Sequence, residues 1–374
     1  MAKNNVTVVE IGSSCLRAAV ASRGINGTFN IKARASVEYA GFFEGEFVDR
    51  QHLEDAVASL FSQIHAVYKK DIEKIFVGVP AEFSQVTSTK EQTNFKFRRM
   101  IREEDLEALL SNASQKVVVD DMEVLSVNPI YYELDDERKT NDPVGFKTSK
   151  LSAELSIVLA QSSFIQTFNK IFARLGIAQV EYLSEPLCEA MLILEREERE
   201  RTCIVIDVGA RSTSVAFVKG DGLSNLTSFS MGGSYVTNDL SEACGLSYVD
   251  ARNLKKQIVL SLKGGPDDCY EVTTTSGRVV KVGMNFANEV AGYRVEVIAK
   301  AVNECIRLFA KEYVPYYPIY LCGAGVSKIK GGKDFFAKCI ARNISYGLPP
   351  VPGLDKAELA SMLGLLKKAL EGKA

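Results

Sequence analysis

The chain has 374 residues, 46% of them hydrophobic and 25% charged, which is typical of a globular protein with room for two core-forming domains. Its 45 basic and 47 acidic residues leave a formal net charge of -2, so the sequence offers no bulk positive charge for binding nucleic acid or an anionic membrane. Eight isolated cysteines without a Cys-x-x-Cys pair favour free thiols in a reducing cytosol, and two histidines argue against a histidine-based active site or metal centre. The start of the sequence lacks a signal-peptide pattern, and no apolar run reaches the ~18 residues that a membrane-spanning helix needs.

The first predicted elements are a hairpin, a helix and a strand. In residues 8–20, "VVEIGSSCLRAAV", an apolar strand ends in Glu10 and Gly12, and small residues then lead into a second apolar strand. The helix that follows has one apolar face, which predicts packing against a core: Leu53, Ala56, Val57, Leu60, Phe61, Ile64 and Tyr68. The strand 74–80, "KIFVGVP", comes next.

Residues 82–179 differ from the flanking segments in their pattern of residues and predict a compact inserted subdomain. A charged helix occupies 101–114, strands are expected near 123–135, and a polar loop at 136–145 has the composition of an exposed tip. A strand and a helix complete the segment, and the helix has its own apolar face: Phe164, Ile165, Phe168, Ile171, Phe172 and Leu175.

The pattern of the first hairpin recurs in residues 205–217, "VIDVGARSTSVAF", where Asp207 matches Glu10 and Gly209 matches Gly12. Because strands alternate with amphipathic helices around both hairpins, the sequence predicts two related α/β lobes that face each other across a cleft. A late strand in 317–332 runs into a third glycine turn, in which Gly323 leaves room for a ligand to approach the backbone, as does its neighbour Gly325.

Both hairpin turns have the chemistry of a phosphate site. Consecutive backbone N–H groups form a partly positive nest, and hydroxyl donors are available from Ser13, Ser14, Ser212 and Thr213. Glu10 and Asp207 would then hold Mg²⁺ through water, since carboxylates beside phosphates repel them unless a divalent cation lies between. The alternative is that each glycine serves only a tight turn that its acid caps. The two matching hairpins and the third glycine turn favour the phosphate interpretation.

Several motifs, taken in order, resemble the actin, heat-shock chaperone and sugar kinase ATPase superfamily, and within it the chain is most similar to the FtsA family of bacterial cell-division proteins. The two hairpins are similar to its phosphate motifs, and "LCGAGVSKIKG" (321–331) is similar to its adenosine motif. "IREEDLEALL", "LSVNPIYYELD" and "DPVG" are similar to the insertion by which FtsA replaces a subdomain of actin. The resemblance implies an α/β, actin-like (ribonuclease H-like) two-lobed ATPase fold with an FtsA-type inserted subdomain.

The resemblance also implies a division into domains. The first lobe would comprise 1–81, interrupted by the inserted subdomain 82–179 and completed by a connecting helix at 180–200, and the second lobe would comprise 201–345. Residues 346–374 would form a C-terminal helix that returns to the core. Its apolar stripe beside Lys367 and Lys368 also suits a membrane surface, but a docked helix is favoured because the family places core there.

ATP with Mg²⁺ between the lobes is the cofactor that the resemblance implies. The residues expected at the nucleotide are Gly12, Ser13, Ser14, Gly209, Ala210, Arg211, Ser212, Thr213, Gly232, Gly233, Lys255, Gly323 and Gly325, with Lys255 and the last two at the adenosine. Glu185, in a Glu-Pro pair that related ATPases share, is the candidate catalytic residue that would position an attacking water. The alternative for Glu185 is a charge that stabilises the N-terminus of its helix.

The sequence departs from FtsA at the phosphate loops. Glu10 stands where FtsA has Asp, and Arg211 and Ser214 stand where FtsA has a glycine and an acid; both loops resemble those of PilM, the FtsA relative of type IV pilus machines. The resemblance to FtsA implies a cytoplasmic scaffold with weak or absent ATP hydrolysis that self-associates, binds the tail of a tubulin-like division protein and reaches the inner face of the membrane only through partners. The alternatives are a PilM-like adaptor of a pilus or secretion machine and a sugar kinase, for which no substrate-side Asp stands out.

Overall fold

The computed structural model describes residues 5–25, 28–309 and 317–372. The strands are β1 (Val6–Ile11), β2 (Cys15–Arg23), β3 (Phe29–Glu38), β4 (Phe42–Phe43), β5 (Glu46–Phe47), β6 (Lys74–Val79), β7 (Ser84–Met100), β8 (Met122–Glu133), β9 (Lys139–Thr140), β10 (Lys147–Gln161), β11 (Gln179–Ser184), β12 (Cys203–Val208), β13 (Thr213–Lys219), β14 (Gly222–Phe229), β15 (Cys269–Thr273), β16 (Val279–Gly283), β17 (Ile319–Cys322) and β18 (Ser345–Tyr346). The helices are α1 (Arg50–Tyr68), α2 (Glu103–Lys116), α3 (Ser162–Arg174), α4 (Glu185–Ile193), α5 (Arg196–Arg199), α6 (Gly233–Cys244), α7 (Tyr248–Gln257), α8 (Met284–Phe309), α9 (Gly332–Ile340) and α10 (Ala360–Glu371). Within these described ranges, none of the helices has both the length and the apolar character needed to cross a bilayer.

Two sheets of the same topology form the two lobes. The strand order is β11-β6-β1-β2-β3 in the first lobe and β14-β13-β12-β17-β18 in the second. Each sheet is built on an antiparallel hairpin, β1–β2 or β12–β13, whose first strand pairs in parallel with a later strand, β6 or β17. The predicted repeat is therefore confirmed, and the two glycine turns occupy the same position in their sheets.

Helices cover both faces of the first-lobe sheet. On one face α1 and α3 share a buried core with β1 and β2, which contains Ile11 and Phe168. α1 begins after Asp49, whose carboxylate caps the helix by accepting from the His52 N–H at 3.0 Å. On the other face α10 packs against the sheet and α4, with Leu366 fully buried. The described part of the C-terminal helix thus buries its apolar stripe in the first lobe.

The helix α3 differs from the sequence prediction in two respects. It lies within the predicted inserted segment 82–179, yet its buried side chains join the core of the first lobe. Leu175, predicted on its apolar face, is 39% exposed, because α3 ends at Arg174 and Leu175 is the residue that follows its last turn.

The second lobe packs α6, α7, α8 and α9 on one face of its sheet. Their buried side chains and those of β12, β13 and β17 form one core that includes Ile206, Val236 and Val295. The hairpin β15–β16 lies between α7 and α8 in the chain and adds Tyr270 and Val272 to the same core. This arrangement places α6 and α7 next to the second glycine turn.

The inserted sheet has the order β7-β10-β8-β9, with α2 packed on it around Leu109 and Leu155. Its base also touches the second lobe, because Val158 of β10 shares a buried cluster with Val205 of β12 and Val218 of β13. The turn between β13 and β14 hydrogen-bonds the sheet, since the Asp221 N–H donates to the Pro129 carbonyl at 2.9 Å. The inserted subdomain is thus in contact with both lobes.

Candidate functional site

The two lobes enclose a cleft with a volume of about 660 Å³. Its walls come from both hairpin turns, the first turns of α4 and α6, α7 and the turn after β17. The cleft brings together most of the predicted site residues: Glu10, Gly12, Ser13, Ser14, Glu185, Asp207, Gly209, Ala210, Arg211, Ser212, Gly233, Lys255, Gly323 and Gly325. Residues that lie far apart in the sequence therefore form one site.

Two residues predicted at the nucleotide lie behind the wall of the cleft instead. Thr213 is fully buried, and its hydroxyl donates to the Met231 carbonyl at 2.7 Å, so its one donor is not available to a ligand. A Cβ at Gly232 would lie 2.6 Å from the Gly209 carbonyl oxygen, so this glycine allows two backbone segments to pack together. Both residues support the second loop and do not line the site.

The two hairpin turns close in the same way and meet at their tips. The Gly12 N–H donates to the Cys15 carbonyl at 3.1 Å, and the Gly209 N–H donates to the Ser212 carbonyl at 2.9 Å. Across the cleft the Arg211 N–H donates to the Ser13 hydroxyl oxygen at 3.0 Å. The tips of the two turns thus line one space between the lobes.

The second turn is also joined to the first turn of α6. The Gly233 N–H donates to the Gly209 carbonyl at 2.9 Å, and the Ser234 N–H donates to the Ala210 carbonyl at 2.7 Å. A Cβ at Gly233 would lie 2.5 Å from the α-carbon of Gly325, so both glycines are required for this close packing. The positive end of the α6 dipole therefore lies at the cleft, where it favours an anion.

Four carboxyl groups line the same part of the cleft. Glu10 is 4% exposed, and its Oε1 accepts from the guanidinium of its cross-strand neighbour Arg17 at 2.6 Å. Asp207 occupies the corresponding position of β12. Glu185 and Glu189 are four residues apart on α4 and therefore lie on one face of that helix.

These carboxyl groups have few positive partners. Within the part of the chain that the structure describes, each has a buried oxygen with no hydrogen-bond partner: Glu10 Oε2, Glu185 Oε2, Glu189 Oε1 and Asp207 Oδ1. Burial, and then the charge of Glu10, raise the pKa of Asp207 to about 6 and raise that of Glu185 well above its ordinary value. Burial and the charge of Asp207 raise the pKa of Glu189. The cluster therefore favours the uptake of a proton or a cation.

The cluster fits a hydrated Mg²⁺. In the described ranges, no group of three or more His, Cys, Asp or Glu side chains is arranged to hold a metal ion by itself. Mg²⁺ usually keeps several waters and takes one or two carboxylates together with phosphate oxygens. The orphaned oxygens of Glu10 and Asp207 supply acceptors for such waters, so both residues fit the predicted role.

Lys255 lines the second-lobe side of the cleft with Tyr248 and Arg252, all on α7. Its ammonium group donates to the Gly233 carbonyl at 2.7 Å and so connects α7 to the first turn of α6. Burial, and then the charge of Arg252, lower the pKa of Lys255 to about 8. Lys255 is therefore still largely a cation at pH 7.

Polar contacts join the two lobes around the cleft. They are Arg252 Nη1 to Glu38 Oε1 at 2.7 Å, Arg211 Nη1 to the Ala40 carbonyl oxygen, and Ser230 Oγ to Glu82 Oε1 at 3.2 Å. Burial raises the pKa of Glu82 to about 7. Closure of the lobes is thus linked to side chains that also face the cleft.

Sequence reasoning missed further residues that line the cleft, among them Arg17, Glu82, Glu189 and Ser361. The hairpin register places Arg17 opposite Glu10, and the i, i+4 spacing places Glu189 beside Glu185, so both had a signal in the sequence. Ser361 comes from α10 and donates to Glu185 Oε1 at 2.6 Å. Tertiary packing alone brings Ser361 and Glu82 to the cleft.

Two lobes of matching topology around a cleft with two glycine turns define the class of actin-like folds. The model of a family described as "Cell division protein FtsA" matches residues 204–364, and that of the "SHS2 domain inserted in FTSA" matches residues 83–159. The second match lies within the segment that the sequence predicts as the inserted subdomain.

Comparison with individual proteins also indicates similarity to FtsA and to actin-like folds. FtsA of Streptococcus pneumoniae serotype 2 (strain D39) is 27% identical over 250 residues, which are 67% of this chain and 54% of that protein, so the matched part spans about half of its length. Among solved structures, PilM of a PilM-PilN type IV pilus biogenesis complex has a TM-score of 0.64 at 17% identity, over 98% of this chain and 99% of that chain. MreB 5 of Spiroplasma citri, solved bound to AMPPNP, has a TM-score of 0.57 at 13% identity over 100% of both chains. This chain is an FtsA-like protein with the actin fold, as the sequence predicted.

Proposed function

We propose that this chain binds ATP with Mg²⁺ in the cleft and acts as an assembly scaffold in bacterial cell division. The observation that carries the nucleotide part is the juxtaposition of two glycine turns and a cluster of orphaned carboxyl oxygens in one cleft. The similarity to FtsA supports the division role, and the AMPPNP bound to MreB 5 of Spiroplasma citri supports the class of ligand.

Different walls of the cleft would bind different parts of the nucleotide and its Mg²⁺. The turns at 12–14 and 209–212 would bind the phosphates through N–H groups and hydroxyls, and the first turn of α6 would add its dipole. Mg²⁺, when bound, would neutralise phosphate charge, with Glu10 and Asp207 holding its waters. Lys255, Gly323 and Gly325 would contact the adenosine.

Glu185 would orient a water for attack on the terminal phosphate. The hydrogen bond from Ser361 fixes one carboxyl oxygen and leaves Oε2 without a partner, as a general base requires. A positioned general base contributes roughly 10²–10⁴-fold to a rate. Hydrolysis would be slow, and its role would be to reset the scaffold.

Nucleotide binding would control assembly through the lobe contacts. A ligand that binds both lobes stabilises one relative orientation, and a partner that recognises this orientation is bound more tightly. By similarity to FtsA, the partner would be the C-terminal tail of a tubulin-like division protein, together with further copies of this chain. The protein would act in the cytoplasm and reach the inner face of the membrane through partners.

A second candidate function is a PilM-like adaptor that captures a short peptide of a membrane protein in a pilus or secretion machine. The second phosphate loop favours it, because Ser214 lies opposite Asp207 in the hairpin register, where FtsA has an acid. Pull-down with the tail peptide of the tubulin-like division protein separates the two functions. Retention of this peptide over a scrambled peptide supports the division role, and equal retention of the two contradicts it.

Calorimetric titration with Mg-AMPPNP tests the nucleotide site. We expect saturable binding by the wild type and an affinity at least ~10-fold lower for Asp207→Ala, which is the effect of losing ~1.4 kcal/mol. Asp71→Ala, at an exposed acid outside the cleft, is the matched control and should leave the affinity unchanged. Absence of binding by the wild type, or equal affinity of Asp207→Ala, contradicts the assignment.

A further inference from the structure

The cleft contains one arginine, among those that the structure describes there, whose side-chain partner is not a carboxylate. Arg17 pairs with Glu10 at 2.6 Å and Arg252 pairs with Glu38 at 2.7 Å, so acids offset both charges. Arg211 instead donates from Nη1 to a neutral carbonyl, that of Ala40. Its positive charge is therefore the one among these arginines that remains available to an anion.

Arg211 also lies at a direct contact between the two lobes. Its N–H donates to the Ser13 hydroxyl, so it stands at the meeting point of the two hairpin tips. Gly41, which follows the Ala40 carbonyl, has a φ of +78°, and a Cβ there would lie 2.0 Å from the Ser13 carbonyl oxygen and 3.3 Å from Arg211 Nη1. The first-lobe backbone at Ala40 and Gly41 is thus in close contact with one side of the guanidinium.

We propose that Arg211 makes the cleft select nucleoside triphosphates over diphosphates by binding the terminal phosphate. This inference rests on the proposed function, since it requires a nucleotide between the two turns. A guanidinium carries five N–H donors in a planar fork that matches phosphate oxygens, and the bond to Ala40 occupies only part of that capacity. A diphosphate lacks the terminal phosphate. It therefore offers no phosphate oxygen to Arg211 in the space between the hairpin tips.

The contact with Ala40 gives this selection a structural consequence. When the guanidinium turns from the Ala40 carbonyl to a phosphate oxygen, a direct bond between the lobes is replaced by one through the ligand. A charge-assisted bond to phosphate is stronger than one to a neutral carbonyl. The triphosphate therefore holds the lobes together more firmly than the diphosphate does.

The test is the ratio of the affinities for Mg-AMPPNP and Mg-ADP, measured by calorimetry for the wild type, Arg211→Gln and Arg211→Lys. We expect Arg211→Gln to lower the affinity for Mg-AMPPNP roughly 10- to 100-fold and the affinity for Mg-ADP less than about threefold. The affinity of Arg211→Lys for Mg-AMPPNP should lie between those of the wild type and Arg211→Gln, because lysine keeps the positive charge but lacks the planar fork of donors. Arg201→Gln, at an exposed arginine before β12, is the matched control for expression and thermal stability.

The outcomes separate this inference from the proposed function. If the wild type binds both nucleotides and Arg211→Gln loses affinity for both equally, or for neither, the selection by Arg211 is overturned and the nucleotide site stands. If the wild type binds neither nucleotide, the proposed function fails and this inference fails with it.

Discussion

Gly323 packs so closely against Asp207 that a Cβ at Gly323 would lie 2.0 Å from the Asp207 Oδ1 atom. Gly323 also has a φ of +76°, in the left-handed region that favours glycine. It lies just after β17, and Cys322 pairs with Asp207 across the parallel strands β12 and β17. The third glycine turn therefore fixes the carboxylate that is proposed to hold the Mg²⁺ waters.

Gly323→Ala should displace that carboxylate and weaken nucleotide binding. We expect the affinity for Mg-AMPPNP to fall at least ~10-fold and the free energy of unfolding to drop by about 2–4 kcal/mol, from the clash and the backbone strain together. Urea unfolding and calorimetry measure the two effects.

Gly277→Ala is the matched control for Gly323→Ala. Gly277 has a φ of +81° and open space around its missing Cβ, so its substitution tests the strain alone. We expect the free energy of unfolding to fall by about 1–2 kcal/mol and the affinity for Mg-AMPPNP to stay unchanged. A Gly323→Ala protein that binds Mg-AMPPNP as tightly as Gly277→Ala would show that Asp207 is not held by this packing.

Asp207→Asn should stabilise the protein without nucleotide. The pKa of Asp207 is raised from its ordinary value of 3.8 to about 6, so the folded state binds this proton more tightly than the unfolded state. Stability from this group is fully present below pH ~4 and is lost as the pH rises through about 6. At pH 7.5 the neutral amide avoids the cost of the buried charge, and we expect the free energy of unfolding to be higher by ~1–3 kcal/mol.

The pH dependence distinguishes this effect from a general gain in packing. Urea unfolding between pH 5 and pH 8 should show the advantage of Asp207→Asn growing with pH, while its affinity for Mg-AMPPNP is lost. An advantage that stays constant over this range, or a variant less stable than the wild type at pH 7.5, would refute the account of Asp207 as a desolvated acid.

The sequence predicted the two-lobed fold and most of the cleft because an internal repeat carries local information. Glu10 and Asp207 are the second-last residues of their strands, and the glycine two positions after each acid lies in the same turn. Thr213 was predicted at the nucleotide but is the first residue of β13, and its side chain is buried. Side chains of a strand alternate between its two faces, and the sequence pattern did not reveal where the turn ends and the strand begins. Ser361 could not be predicted, since it reaches Glu185 only through the packing of α10, 176 residues away.

Glu185→Gln should separate hydrolysis from binding. The amide keeps the shape of the side chain and can still interact with Ser361, but it cannot accept a proton from water. We expect single-turnover hydrolysis of Mg-ATP to slow by ~10²-fold or more, with the affinity for Mg-AMPPNP within about threefold of the wild type. Glu181→Gln, at an exposed acid on β11, is the control and should change neither. Equal loss of binding and hydrolysis in Glu185→Gln would assign Glu185 a structural role.

Gly222→Ala should weaken the contact between the inserted sheet and the second lobe. A Cβ at Gly222 would lie 2.6 Å from the Ser156 Cβ, and the adjacent Leu223 N–H donates to Ser156 Oγ at 3.1 Å. We expect a loss of about 1–3 kcal/mol in the free energy of unfolding and faster hydrogen exchange at the Leu223 amide. Gly283→Ala, where the nearest atom to the new Cβ would be 3.9 Å away, is the matched control.

The same amide reports whether the inserted sheet responds to the nucleotide. β13 runs from the second glycine turn to the turn that contacts Pro129, and β14 returns from there toward α6, so the hairpin connects the cleft to the inserted sheet. If ligand binding stiffens this hairpin, Mg-AMPPNP should slow exchange at Leu223 in the wild type and have a smaller effect in Gly222→Ala. Equal protection in both proteins would show that the inserted sheet is attached to the second lobe without sensing the cleft.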